Sequence, residues 1–138
     1  MYEFPIERGK IREFAKAAHC ADAAYEGAQA IVPPTFLTTA RINWQPPDEN
    51  IVAALGFDLR RVLHGEEEYV YFGELPKAGQ TLQVESRVGD RFEKQGKRGG
   101  VMRFAVIVSE FRDAAGHLVA EQRSTIVETA APAGGDGS

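Results

Sequence analysis

The sequence predicts an α+β domain in which a long antiparallel sheet curls around one central helix. Three observations predict it. Near the N-terminus the apolar residues recur with helical spacing, whereas from about Leu59 onward they alternate with a period of two. A second apolar run, Thr35 to Trp44, is entered through the stiff Val32-Pro33-Pro34 and is the candidate for the helix that the apolar sheet face covers.

In chain order, Tyr2 to Ile6 has the composition of a short strand. Glu7 to Ala18 follows as an amphipathic helix, with Ile11, Phe14, Ala15 and Ala18 on one face and Arg8, Lys10, Arg12, Glu13 and Lys16 turned to water. His19 to Ile31 is small and polar, broken at Gly27, and reads as loop. Proline disfavours helix in the residue before it but suits a first turn, so the central helix is expected to begin at Pro34 or Thr35. Gln45 to Asn50 is loop by composition, and Ile51 to Leu55 a helical turn closed by Gly56.

The strands carry the clearest pattern. Leu82, Val84 and Val88 oppose Thr81, Gln83, Glu85 and Arg87. Met102, Phe104, Val106 and Val108 share one face, while the other mixes Arg103 and Ser109 with Ala105 and Ile107. Asp113-Ala114-Ala115-Gly116 is a hairpin connection, and Leu118 to Val127 the returning strand. Residues 1–129 are expected to form one domain, and the Ala-, Gly- and Pro-rich 130–138 a flexible tail.

Bulk properties narrow the function. A chain of 138 residues with 43% hydrophobic and 26% charged residues suits one globular core. The net charge of -4 is scattered, with no basic block to grip phosphates, which argues against nucleic acid as a partner. Glu66-Glu67-Glu68 reads as the solvated face of a strand. A single cysteine, Cys20, excludes an internal disulfide and a clustered-thiolate metal site. No metal or other cofactor is expected, no apolar stretch is long enough for a membrane span, and the expected location is the cytoplasm.

Four strings, in this order, carry a resemblance: Pro5-Ile6-Glu7-Arg8-Gly9-Lys10-Ile11-Arg12-Glu13-Phe14-Ala15, Pro33-Pro34-Thr35-Phe36, Leu63-His64-Gly65-Glu66 and Leu75-Pro76-Lys77-Ala78-Gly79-Gln80-Thr81-Leu82. Together they resemble the N-terminal, FAS1-like dehydratase module of the MaoC-like dehydratase group, over the chain from Phe4 to about Val127. The module is similar to the non-catalytic half of hydratase 2 and to the substrate-binding subunit of mycobacterial 3-hydroxyacyl-ACP dehydratase. The resemblance implies a hotdog fold, pairing with a second hotdog as a homodimer or as a heterodimer with a catalytic subunit, and acyl thioesters of CoA or ACP as substrates. The reaction it implies is the lyase chemistry of fatty acid metabolism: reversible addition of water to a 2-enoyl thioester, catalysed in such enzymes by an Asp with a His a few residues later.

Here Asp22 has no His after it before His64, so the pair is missing and no catalytic residue is assigned. The expected role is a non-catalytic or partner-dependent half of an (R)-specific enoyl-thioester hydratase or 3-hydroxyacyl-thioester dehydratase. Pro34, Thr35, Phe36, Trp44 and His64 are its candidate substrate-binding residues. Thr35 has a competing role as a helix cap, Phe36 and Trp44 as plain core, and His64 as a partly buried histidine bonded to backbone. Two alternatives stand beside this: a self-contained homodimeric thioesterase using Glu66, Glu68 or Asp22 to activate water, and an acyl-binding or assembly module without a reaction.

Overall fold

The computed structural model describes residues 1–132, so residues 133–138 of the expected tail lie outside it; Ala130 to Pro132 have no regular structure. Five strands form one antiparallel sheet: β1 (Tyr2–Pro5), β2 (Val62–Tyr71), β3 (Thr81–Gln95), β4 (Val101–Arg112) and β5 (Leu118–Glu128). Their order is β1-β3-β4-β5-β2, which leaves β1 and β2 at the edges. Two helices precede the long strands, α1 (Arg8–Ala17) and α2 (Thr38–Asn43), with short 3-10 turns between α2 and β2.

The short strand expected at the N-terminus is present, and it alternates, with Tyr2, Phe4 and Ile6 buried. On α1 the inward residues are Ile11 and Ala15. Phe14 packs edge-on against Phe36, ring centroids 5.5 Å apart. Phe36 in turn stacks on Phe4 at 6.0 Å, and Phe4 meets Phe111 of β4 at 6.2 Å. This aromatic column joins both helices to the sheet. Each such ring removes on the order of 150–250 Å² from water, and together the rings fix where α2 enters the concave face.

The central helix differs from expectation at its start. Regular α-helix begins at Thr38, and the preceding turn is wound tighter, with i to i+3 bonds from Phe36 N to Pro33 O, Thr38 N to Thr35 O and Thr39 N to Phe36 O. Pro33 and Pro34 hold the entry extended, and Thr39 Oγ1 donates back to the Phe36 carbonyl at 2.8 Å. Pro46 and Pro47 stop any continuation beyond Trp44. The helix is short because prolines bracket it.

On β4 the inward side chains come from the mixed face: Ala105, Ile107, Ser109 and Phe111 are buried there, with Phe111 in the main core. Met102, Phe104, Val106 and Val108 lie on the convex face, where Phe104 stacks on Phe92 of β3 at 4.7 Å. A second, smaller core of Leu55, Phe57, Ala105, Ile107 and Ile126 fills the far end of the concave face under the 3-10 turns. Gly56, in the left-handed region at φ 71°, closes the turn there, as its position after Leu55 predicts. Among the described residues no helix is long and apolar enough to cross a membrane.

Candidate functional site

Strand β2 decides the site, and Gly65 decides β2. Cross-strand partners share a face, so pairing with β5 shows which side chains turn inward: His64 faces Ile126, Glu67 faces Ser124, Tyr69 faces Gln122 and Tyr71 faces Ala120. The register slips between His64 and Glu66, a bulge at Gly65. A Cβ at Gly65 would lie 2.9 Å from Val127 Cγ2, so only glycine fits there without displacement. Unbroken alternation from His64 would turn Glu66 and Glu68 inward. The bulge reverses the phase and sends Glu67 in instead.

Glu67 arrives in a prepared place. Its Oε2 accepts hydrogen bonds from Ser124 Oγ at 2.8 Å and Gln122 Nε2 at 3.0 Å. Both donors are fully buried on β5. Arg41, on α2, donates to Ser124 Oγ at 2.6 Å. Gln122 Nε2 also lies 3.3 Å from Tyr69 Oη. Tyr71 Oη donates to the Pro34 carbonyl at 2.7 Å. Burial, with Glu67 nearby as a second cause, pushes the Tyr69 phenol up, and burial does the same to Tyr71. Both phenols therefore stay protonated donors at neutral pH.

The free oxygen of Glu67, Oε1, lies 3.6 Å from His64 Nδ1. That is outside hydrogen-bond range. The imidazole is 72% exposed at the open edge of the sheet, which corrects the partly buried, backbone-bonded histidine expected from the sequence. A carboxylate anchored on one oxygen, facing an imidazole, can orient a base or bind a polar ligand group, but in the single chain this couple stays open to solvent.

The other sequence candidates are distributed around it. Pro34 and Thr35 are exposed at the tight turn before α2. Thr35 does not cap the helix, since Leu37 occupies that position and no side chain bonds there. Phe36 is wholly enclosed in the aromatic column. Trp44 closes α2 and is exposed, at 38%, which corrects its expected place in the core. Tyr71 ties the Pro34 turn to one end of β2, while His64 lies seven residues earlier, toward the other end of the same strand.

The carboxylates nominated as thioesterase bases do not reach it. Glu66 and Glu68 pair with Thr125 and Arg123 on the convex face. Asp22 caps its own turn, accepting from Ala24 N at 2.8 Å. His117 lies 3.3 Å from Asp113, inside the β4–β5 hairpin whose turn that aspartate also caps. Sequence reasoning missed Glu67, Arg41, Gln122 and Ser124. The one available signal was the glycine inside Leu63-His64-Gly65-Glu66, a strand glycine being a mark of a bulge. A separate cleft of about 480 Å³ lies against α1, lined by Arg12, Lys16, His19, Cys20 and Tyr25.

Comparison with known proteins places this geometry. The chain is 35% identical to a UPF0336 protein of Streptomyces coelicolor over 95 residues, 62% of this chain and 61% of that protein. Its match thus spans less than two thirds of the relative's length. Among solved structures it is similar to the C-terminally truncated HadBC (3R-hydroxyacyl-ACP dehydratase) complex of Mycobacterium tuberculosis, with a TM-score of 0.74, 19% identity, and 91% of this chain and 89% of that one covered. It is also similar to the ChsH1–ChsH2 complex of the same organism, with a TM-score of 0.73, 17% identity, and coverage of 96% and 83%. These likenesses identify the five-stranded sheet around α2 as a hotdog fold. Residues 2–122 match the model of the FAS1-like, dehydratase domain region, and the chain belongs to that family.

Proposed function

We propose that this chain is the acyl-thioester-binding, partner-dependent half of an (R)-specific enoyl-thioester hydratase or 3-hydroxyacyl-thioester dehydratase. A single observation carries the reading. The anchored Glu67 and the His64 imidazole turn to the concave side of an unpaired edge strand that also holds the Pro34 turn through Tyr71, which supports a half-formed binding groove and not an enclosed site.

A second hotdog pairing along β2 closes that groove. Thr35 and Pro34 then border the thioester, Phe36 and Trp44 stand behind the acyl chain, and His64 meets the carrier end at the seam. The developing enolate of the reaction needs fixed donors. Those, together with the base that activates water and the acid that protonates the α carbon, come in the main from the mate. The substrate is a thioester of CoA or of ACP.

The test is assay of the purified full chain with crotonyl coenzyme A, alone and then with a catalytic hotdog subunit. The expected result is no hydration alone, with turnover only in the mixture. Robust hydration by the pure chain ends this reading. The inward anchoring of Glu67 favours one second reading, a thioesterase in which that carboxylate activates water. Thiol release from acyl coenzyme A by the chain alone, lost in Glu67→Gln, is its signature.

A further inference from the structure

Strand β2 is unpaired along one side, and every residue from Leu63 to Glu68 is exposed. A bare edge of this length is a template for another strand. Its composition is unusual for that purpose: Leu63, 59% exposed, at one end, Val70 and Tyr71 half-buried at the other, and three consecutive carboxylates between them.

We infer that this edge selects a mate different from itself, a second hotdog whose edge strand is cationic in the middle and apolar at its ends. The inference rests on the proposed partner-dependent role and names the kind of partner. Antiparallel pairing of two copies must keep both concave faces on the same side, so inward residues oppose inward ones. With Glu67 inward and Glu66 and Glu68 outward, the self-pairings centred on Glu66, Glu67 or Glu68 all set carboxylate against carboxylate across the seam. Like charges directly opposite destabilise a ladder. Moving the centre to Tyr69 avoids the clash but leaves Val62 to Glu66 unpaired and puts Glu68 against Val70.

The chain offers these carboxylates little of its own neutralisation. Arg123 stands 3.9 Å from Glu68 but bonds Glu121 at 2.6 Å. Arg60 and Arg61, just before β2, hold Asp58. Among the described residues Glu66 makes no ion pair, so a lysine or arginine on a mate's strand meets an open carboxylate.

A charge-reversed copy of the full chain, Glu66→Lys with Glu68→Lys, serves as a surrogate mate in sedimentation at neutral pH and low salt. The wild type alone and the reversed variant alone are expected to sediment as monomers at concentrations where their mixture forms a 1:1 dimer at least tenfold more tightly, with added salt weakening it. A wild-type homodimer as tight as the mixture, or a mixture that does not associate, overturns the inference. If the reversed variant fails to fold by circular dichroism, the neutral Glu66→Gln, Glu68→Gln chain takes its place. It should then self-associate at least tenfold more tightly than wild type, and unchanged association overturns the inference. None of these arms contains substrate. A tight wild-type homodimer therefore removes the edge selectivity while leaving thioester binding intact, whereas hydration by the pure chain removes the proposed function while leaving the edge result standing.

Discussion

Two glutamates of the β2–β5 pair turn to the concave face, Glu128 at its end and Glu67 near its middle, and they are treated differently. Glu128 is 3% exposed and meets the Arg103 guanidinium through two bonds of 2.7 and 2.9 Å. Its other contacts are the Asp58 amide and, at 3.7 Å, Arg61. The fork of Arg103, followed by the Asp58 amide, holds its carboxyl down at about 2. Beneath this cluster Arg103 and Arg91 sit over the Phe57 ring, closing the smaller core. Glu67 is 30% exposed, anchored by neutral donors, and has no guanidinium bonded to it. Arg41 comes only as near as Ser124. A carboxylate with every lone pair matched by charge is a staple; one with a free oxygen at an open edge is available to a ligand.

The comparison breaks most directly at Glu128. Glu128→Ala leaves Arg103 and the Asp58 amide without their acceptor. Losing one partner of a buried ion pair costs about 3–5 kcal/mol, less where the other partner keeps water contact, as the 39% exposed Arg103 does. The expected loss is therefore about 2–3 kcal/mol, read as a lowered urea midpoint at unchanged slope. A loss below about 1 kcal/mol would equate the two glutamates.

Next in size is Gly65→Val. The added side chain meets Val127 at van der Waals distance or less, so the bulge must shift or the pair must open. The expected loss is about 2 kcal/mol, a value within the usual overpacking range. Because the bulge sets the phase of β2, the same change should also alter the environment of the Ser124 and Gln122 amides, visible in their backbone resonances.

This is also where the sequence stopped being readable. Periodicity located α1 within a residue at either end, the strands β3, β4 and β5 and the Asp113 hairpin, since each is a local pattern with a local cause. It left two matters open that non-local contacts settle. Both faces of β4 carry apolar residues, and only the packing shows that Phe111 joins the main core and Ile107 the smaller one, while Val106 and Val108 join neither. On β2, alternation alone selects Glu66 and Glu68. The phase depends on Gly65 fitting against Val127, more than sixty residues later, and no window of sequence contains both. The sequence named His64 on this strand, but the inward carboxylate, Glu67, was hidden for that reason.

Acid titration sharpens the contrast from another side. The Glu128 carboxyl is held at about 2 in the folded chain against an ordinary 4.5, so the folded state binds this proton less readily than the unfolded chain does. The stabilisation is fully present above pH 4.5 and is lost as pH falls from there toward 2. Thermal midpoints measured across that window should fall, and Glu128→Gln should flatten the decline. An equally steep decline in the variant would assign the acid sensitivity to other carboxylates.

The smallest effect on stability is expected from Glu67→Gln, and its smallness is the point. The amide retains one oxygen that can accept from Ser124 and Gln122, and at 30% exposure it keeps water on its other side. A neutral hydrogen bond contributes about 0.5–1.5 kcal/mol net, and most of that survives the exchange, so the urea midpoint should move by less than about 1 kcal/mol. The amide nitrogen now faces His64 where a carboxylate oxygen stood. In the assembled enzyme the same variant should therefore lose thioester turnover while the fold stays intact. If instead the fold weakens as much as it does in Glu128→Ala, Glu67 is a second staple, and the groove beside β2 has no free carboxylate to offer a substrate.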